Sequence, residues 1–91
     1  VSDPAAAAVL RTVMPHGSLA QMPVARGKRL VVLDQIAMVF EPGRRYDERE
    51  VNSLLKAFHH DYAALRRYLV DEGFLTRDSG MYWRVGGTVD V

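Results

Sequence analysis

Arg66 and Arg67 stand side by side in a stretch whose spacing predicts a helix, Asp61–Glu72. Guanidinium groups on the outward face of such a helix pair bidentately with guanine edges or with phosphate. Tyr62 and Ala63 lie on the turn before them and would sit beside any duplex the helix entered. The chemistry these four residues suggest is nucleic-acid contact. The competing reading is an ordinary charged surface. Asp71 follows Arg67 at i,i+4, the spacing of a helical ion pair, and Asp61 and Glu72 add negative charge to the same helix.

A second basic cluster, Arg26, Lys28 and Arg29, opens an earlier helix. Free N–H groups at a helix N-terminus, with these side chains around them, would hold an anion such as phosphate. The competing reading is a solvated basic turn, disfavoured a little by the macrodipole. Arg44 and Arg45 form a third pair, in a turn. Arg77 and Arg84 fall in a C-terminal hairpin, whose turn Asp78-Ser79-Gly80 carries an acid and is poorly suited to reading a groove. Tyr82 and Trp83 suggest base stacking, but aromatic residues in such a strand more commonly fill a core or a cross-strand pair.

Catalysis and metal binding find no support. His16, His59 and His60 are the only histidines, cysteine is absent, and no H-x₃-H spacing occurs. His59-His60 fits a tight turn between helices. No Ser/His/Asp arrangement is legible, and no pair of the 11 acids forms a dyad that spacing identifies. The expectation is a protein that is not an enzyme and uses neither cofactor nor metal.

The 91 residues are enough for one domain with little core to spare. At 48% hydrophobic and 25% charged, with a net charge of +1, the chain has the composition of a folded globular protein. No apolar run reaches the roughly 18–20 residues of a membrane span, so no membrane partner is expected. Without cysteine, a reducing cytoplasm is the expected compartment.

The elements that would position the arginines can be read in order. Ser2 or Asp3 caps a first helix, with Pro4 at its first position and Ala5–Ala8 behind it; Pro15 and Gly17 end it. Ser18–Gln21 suits a short extended stretch. A second helix is expected from Lys28 to Phe40, with Leu30, Leu33, Ala37 and Phe40 on one stripe. Val32, Ile36 and Val39 widen that stripe, as in a helix packed on several sides. Asp47 and Glu50 make a capping box for a third helix ending near Phe58, with Tyr46 and Val51 at the positions of a hydrophobic staple. Asp61 caps the fourth helix, whose inner stripe is Leu65, Tyr68 and Leu69, with Ala63, Arg66, Arg67 and Val70 outward. Gly73 is placed to end it. Phe74–Arg77 and Met81–Val85 make a hairpin, and a frayed tail follows from Gly86 to Val91. The expected core is Leu33, Ile36, Phe40, Val51, Leu54, Leu55, Phe58, Leu65, Leu69 and Leu75.

Only His59-His60-Asp61 separates the third and fourth helices, which forces a sharp crossing as in a helix-turn-helix. With a helix before the pair, an extended piece at Arg44–Tyr46 and a hairpin after, the order is that of a winged helix, mainly α with a small β-hairpin. A three-helix bundle with an unrelated hairpin is the competing architecture. One domain is expected over 1–91, with an N-terminal helix and loop at 1–27, a winged-helix core at 28–85 and a tail at 86–91.

Pro23, Lys28-Arg29-Leu30, Leu33 and Phe40, followed by Tyr46-Asp47-Glu48 and Glu50-Val51-Asn52, resemble a bacterial family. So does the run from Asp61 through Leu65-Arg66-Arg67-Tyr68-Leu69-Val70-Asp71 to Gly73, Arg77 and Tyr82-Trp83. The resemblance spans about residues 17–84, and Glu50-Val51-Asn52 with Leu65-Arg66-Arg67 are its most specific parts. The family is a domain of unknown function, found alone or following a helix-turn-helix domain in transcriptional regulators. It implies a winged-helix-like fold and a prokaryotic source, and brings no activity, cofactor or catalytic residue. The reading that results is a nucleic-acid-binding or transcription-regulatory domain with duplex DNA as partner. The alternative is a protein-interaction or dimerisation module on the same scaffold, binding itself or another regulatory protein.

Overall fold

The computed structural model describes residues 4–88. Its elements are four helices, α1 (Pro4–Val13), α2 (Arg26–Ala37), α3 (Glu48–Lys56) and α4 (Tyr62–Asp71), and three strands, β1 (Arg45–Asp47), β2 (Leu75–Asp78) and β3 (Met81–Arg84). The strands form one antiparallel sheet in the order β1-β3-β2. The cap expected at Ser2 or Asp3 lies outside the described residues.

The local signals that start the helices act as expected. Asp47 Oδ1 accepts from the Glu50 N–H at 2.8 Å, and the Glu50 carboxylate accepts from the Asp47 N–H at 3.1 Å, completing the capping box. Tyr46 and Val51, the staple pair, are both buried in the core. Asp61 caps α4 by accepting from the Ala64 N–H at 3.1 Å. Asp47→Ala is expected to cost on the order of 1 kcal/mol, because it leaves helix N–H groups unsatisfied. An unchanged urea midpoint would show that α3 does not depend on this cap.

Several boundaries differ from the sequence expectation. Helix α2 begins at Arg26 rather than Lys28, with the Arg29 N–H bonding the Ala25 carbonyl at 2.9 Å. Its α-helical bonding stops at Ala37, short of Phe40. Met38, Val39 and Phe40 continue it through i→i−3 bonds of 3.3, 3.1 and 3.1 Å. Such tightening is common in a last turn, and Pro42 bars a further α-helical turn. Likewise α3 stops at Lys56, before Phe58. Ser18–Gln21 is no strand: the Leu19 N–H donates to the Phe58 carbonyl at 2.6 Å, and the Leu19 side chain is buried in the core. The hairpin turn is Ser79-Gly80 alone, both with positive φ, and Asp78 closes β2.

The extended piece near Tyr46 pairs with the hairpin, as expected, opposite Tyr82 on β3. Helix α2 is the central one, with Val32, Leu33, Ile36 and Ala37 all fully buried. Of the expected core, Leu54 and Phe58 are only half-buried and pack on its margin, because the apolar stripe of α3 is wider than the surface facing it. Leu19, Val32, Ala37, Tyr46, Phe74 and Tyr82 complete the interior.

The start of the tail is tied down rather than frayed. The Val85 N–H donates to the Phe74 carbonyl, and Thr88 donates to Asp34 through its N–H at 2.6 Å and its hydroxyl at 2.7 Å. Gly73 ends α4 with φ +80°, and Gly86 crosses directly over it, where a β-carbon would collide with the Gly73 carbonyl oxygen. Residues 89–91 lie outside the described part of the chain.

Candidate functional site

The capping box sets the rotation of α3, and with it the direction of Glu48 and Asn52. These residues are four apart and share a face. On α4, burial of Leu65 and Leu69 fixes the inner stripe, which leaves Arg66 flanking it and Arg67 turned outward. In the sheet, Tyr82 faces inward and is buried, so its neighbour across β2, Arg77, lies on the helix side.

These placements build a groove of about 600 Å³ between the outer side of α4 and the hairpin. Its lining includes Ala63, Arg66, Arg67, Val70, Arg77 and Tyr82. A connected set of polar contacts runs along it. Arg66 Nη1 donates to Asn52 Oδ1, and Arg66 Nε lies 4.0 Å from Glu48 Oε1. The same Glu48 oxygen accepts from the Tyr82 hydroxyl at 2.9 Å, and that hydroxyl accepts from Arg77 Nη1 at 3.3 Å. The hydrogen bond to Tyr82, with electrostatic attraction to Tyr82 and Glu48 added and desolvation opposing, raises the Arg77 pKa above the ordinary guanidinium value. Arg67 reaches its i+4 neighbour, with Nε 3.7 Å from Asp71 Oδ2.

Of the four residues expected to contact nucleic acid, Ala63, Arg66 and Arg67 line the groove. Tyr62 does not: it is half-buried, with Lys56 Nζ 5.0 Å above its ring. Arg66 is not a free outward arginine, since its side chain is only 20% exposed. Val70, also expected outward, packs on the edge of the core. Sequence reasoning left Arg77, Glu48, Asn52 and Tyr82 out of the site. Alternation along β2 could have placed Arg77 on the face of Leu75, but contacts from α3 to α4 and β3 carry no local signal.

The N-terminal basic cluster behaves differently. Two of its side chains, Arg26 and Arg29, pair with the carboxylate of Glu72 from the end of α4. Arg26 clamps it with bonds of 2.8 and 3.2 Å, and Arg29 Nη2 lies 3.8 Å away. The Arg26 hydrogen bond is the main cause that lowers the Glu72 pKa; the charges of Arg26 and Arg29 add to it, and desolvation opposes them. Arg29 also spans the Tyr68 ring at 5.2 Å and donates to the Val24 carbonyl. Lys28 stands apart, beside Ala8, Val9, Thr12 and Val13 of α1.

Arg44, Arg45 and Arg84 have local partners of their own. Arg44 meets Glu50 at 3.3 Å, and Arg45 stacks 3.9 Å over the half-buried Trp83 ring. Arg84 turns inward to the carbonyls of Phe40, Gly86 and Thr88. His59 is buried, with Nδ1 3.0 Å from the Leu19 carbonyl, and the His60 ring lies beside it, centroids 4.5 Å apart and tilted by 59°, in the inter-helix turn. Among the described residues, no cluster of three or more His, Asp or Glu side chains could hold a metal ion, and no helix is long and apolar enough to cross a membrane.

No curated protein and no solved structure matches the chain. A match does cover residues 18–84, which hold the whole groove and most of the core. By that match the chain belongs to DUF2087, a family described as an uncharacterised protein conserved in bacteria.

Proposed function

We propose that the chain is a winged-helix-like domain of transcription-regulatory type that binds duplex DNA through the groove between α4 and the hairpin. The observation that carries this reading is the convergence of Arg66, Arg67 and Arg77 on one groove. The element order supports it: two successive helices, α3 and α4, are followed by a hairpin in a sheet of order β1-β3-β2, the arrangement expected of a helix-turn-helix pair with a wing. In such a domain the second helix of the pair enters the major groove, which is about 12 Å wide. Arg66 and Arg67 would then meet base edges or phosphates, with Arg77 on the adjoining backbone and Ala63 allowing close approach.

A net charge of +1 and the acids beside the groove limit the electrostatic attraction. Affinity for random duplex DNA is therefore expected to fall with salt along a log–log slope of only about −3 to −5. Replacing both Arg66 and Arg67 with alanine is expected to flatten that slope by about 2 if both contact phosphate. Fluorescence anisotropy across a salt series measures both quantities.

A second reading, a protein-interaction or dimerisation module, is favoured by one observation. Each groove arginine already has an internal partner: Asn52 and Glu48 for Arg66, Asp71 for Arg67, and Tyr82 for Arg77. A double variant that binds like the parent would favour that module. Against it, Val24 and Val85 are the large apolar side chains left mostly in water among the described residues, less than a docking patch of a few hundred Å² needs.

A further inference from the structure

We infer that Glu48 is an internal stand-in for a phosphate: its carboxylate reaches Tyr82 and Arg66 of the arginine groove from α3 in the free protein, and a backbone phosphodiester must displace it from them to bind. The inference rests on the DNA-binding reading of that groove.

The contacts around Glu48 are those a phosphate oxygen would make. One carboxylate oxygen accepts from the Tyr82 hydroxyl at 2.9 Å and lies 4.0 Å from Arg66 Nε, while Arg77 donates to the same hydroxyl. The hydroxyl thus makes a charge-assisted hydrogen bond to the anionic oxygen, and the Arg66 guanidinium stands at ion-pair distance from it. The two sides of this contact differ in freedom. The Arg66 side chain is only 20% exposed and is held by Asn52, so the donors stay in place. The Glu48 side chain is 53% exposed, so it can swing into water at little cost. It is also the first residue of α3, where the helix dipole favours a carboxylate whether or not it touches Arg66.

Displacement conserves the hydrogen bonding. The Tyr82 O–H, which donates to Glu48 in the free protein, donates to the phosphate in the complex and still accepts from Arg77. Arg66 keeps Asn52 and exchanges one anion for another. The Arg67–Asp71 pair does not work this way, because at 84% and 63% exposure water already screens it. Glu48 is thus the residue that sets the groove's affinity, by making every incoming phosphate compete with a tethered carboxylate.

The test compares the full chain with Glu48→Gln and Glu41→Gln by fluorescence anisotropy on a random-sequence duplex at low salt. Glutamine at position 48 keeps an acceptor for Tyr82 and removes the charge. Glu41 lies in the loop after α2, lines a different cleft and loses the same unit of charge. Glu48→Gln is expected to raise affinity about five- to ten-fold, the size of one like-charge contact relieved near the protein surface. The salt slope should change by less than about one, because Arg66 meets the same phosphate in both complexes. Glu41→Gln should change affinity less than about two-fold, since Glu41 lines a different cleft and touches none of the groove arginines. Glu48→Ala should reproduce the gain, and adding Arg66→Ala to Glu48→Gln should abolish it. Binding by Glu48→Gln alone, with none by the parent chain, also supports displacement. If the parent binds and the two glutamine variants are indistinguishable, displacement is overturned while the DNA reading stands. If neither the parent nor Glu48→Gln binds, both fall.

Discussion

Leu69→Ala is expected to lower the unfolding free energy by about 2–5 kcal/mol, the range for a buried leucine truncated in a close-packed core. A domain of this size has on the order of 5–14 kcal/mol in total, so a large part of the stability would be lost. Leu69 is fully buried on the inner stripe of α4, and its carbonyl accepts from the Phe74 N–H at 2.9 Å as the chain leaves that helix. A cavity there loosens the helix that carries Arg66 and Arg67 together with the entry into β2. Leu55→Ala should cost a similar amount from α3, where Leu55 is equally buried. Urea denaturation monitored by circular dichroism gives both values. A loss under about 1 kcal/mol at both sites would mean that the stripes of α3 and α4 do not face one another.

Phe40→Ala should be at least as damaging, at about 3–5 kcal/mol. The Phe40 ring is fully buried and meets the Tyr46 ring edge-on, with centroids 5.1 Å apart and planes at 88°. Such pairs add to the area buried. The Tyr46 hydroxyl in turn accepts from the Glu41 N–H at 2.8 Å, so this corner ties the end of α2 to β1. Because β1 pairs with β3 at Tyr46 and Tyr82, loss of the ring also relaxes the strand that holds one wall of the groove. Phe40→Leu, which fills most of the volume, should cost less than half as much. Equal losses for the two substitutions would show that the edge-on ring contact, and not the volume filled, carries the effect.

The elements of this fold were legible because each is started or stopped by interactions a few residues long. Asp47 and Glu50 announce α3, Asp61 announces α4, and Gly73 with φ +80° ends it. The inner stripes of α2 and α4 follow from apolar spacing, which depends only on helix geometry. The hairpin follows from two runs of strand-forming residues around a glycine turn, and the i,i+4 spacing of Arg67 and Asp71 foretells their ion pair. Boundaries slipped where a competing local bond took over, as in the tightened last turn of α2.

The sequence by itself therefore determined the kinds and order of the elements, the helix caps, and the stripes on α2 and α4. It also placed Ala63, Arg66 and Arg67 on one helix. Only the tertiary structure decided which side chains meet across the chain. Arg66 joins Asn52 from 14 residues away, Tyr82 joins Glu48 from 34, Arg26 clamps Glu72 from 46, and Thr88 reaches Asp34 from 54. Likewise, alternation showed that Tyr82 and Trp83 face opposite ways, but the register with β1 and the packing of α3 chose Tyr82 as the buried one. The physical reason is range. Caps and periodicity are set by backbone bonds within one turn, whereas the groove depends on how α3 and α4 cross and how the sheet docks on them. Those angles come from burying all the stripes at once, so no single segment specifies them.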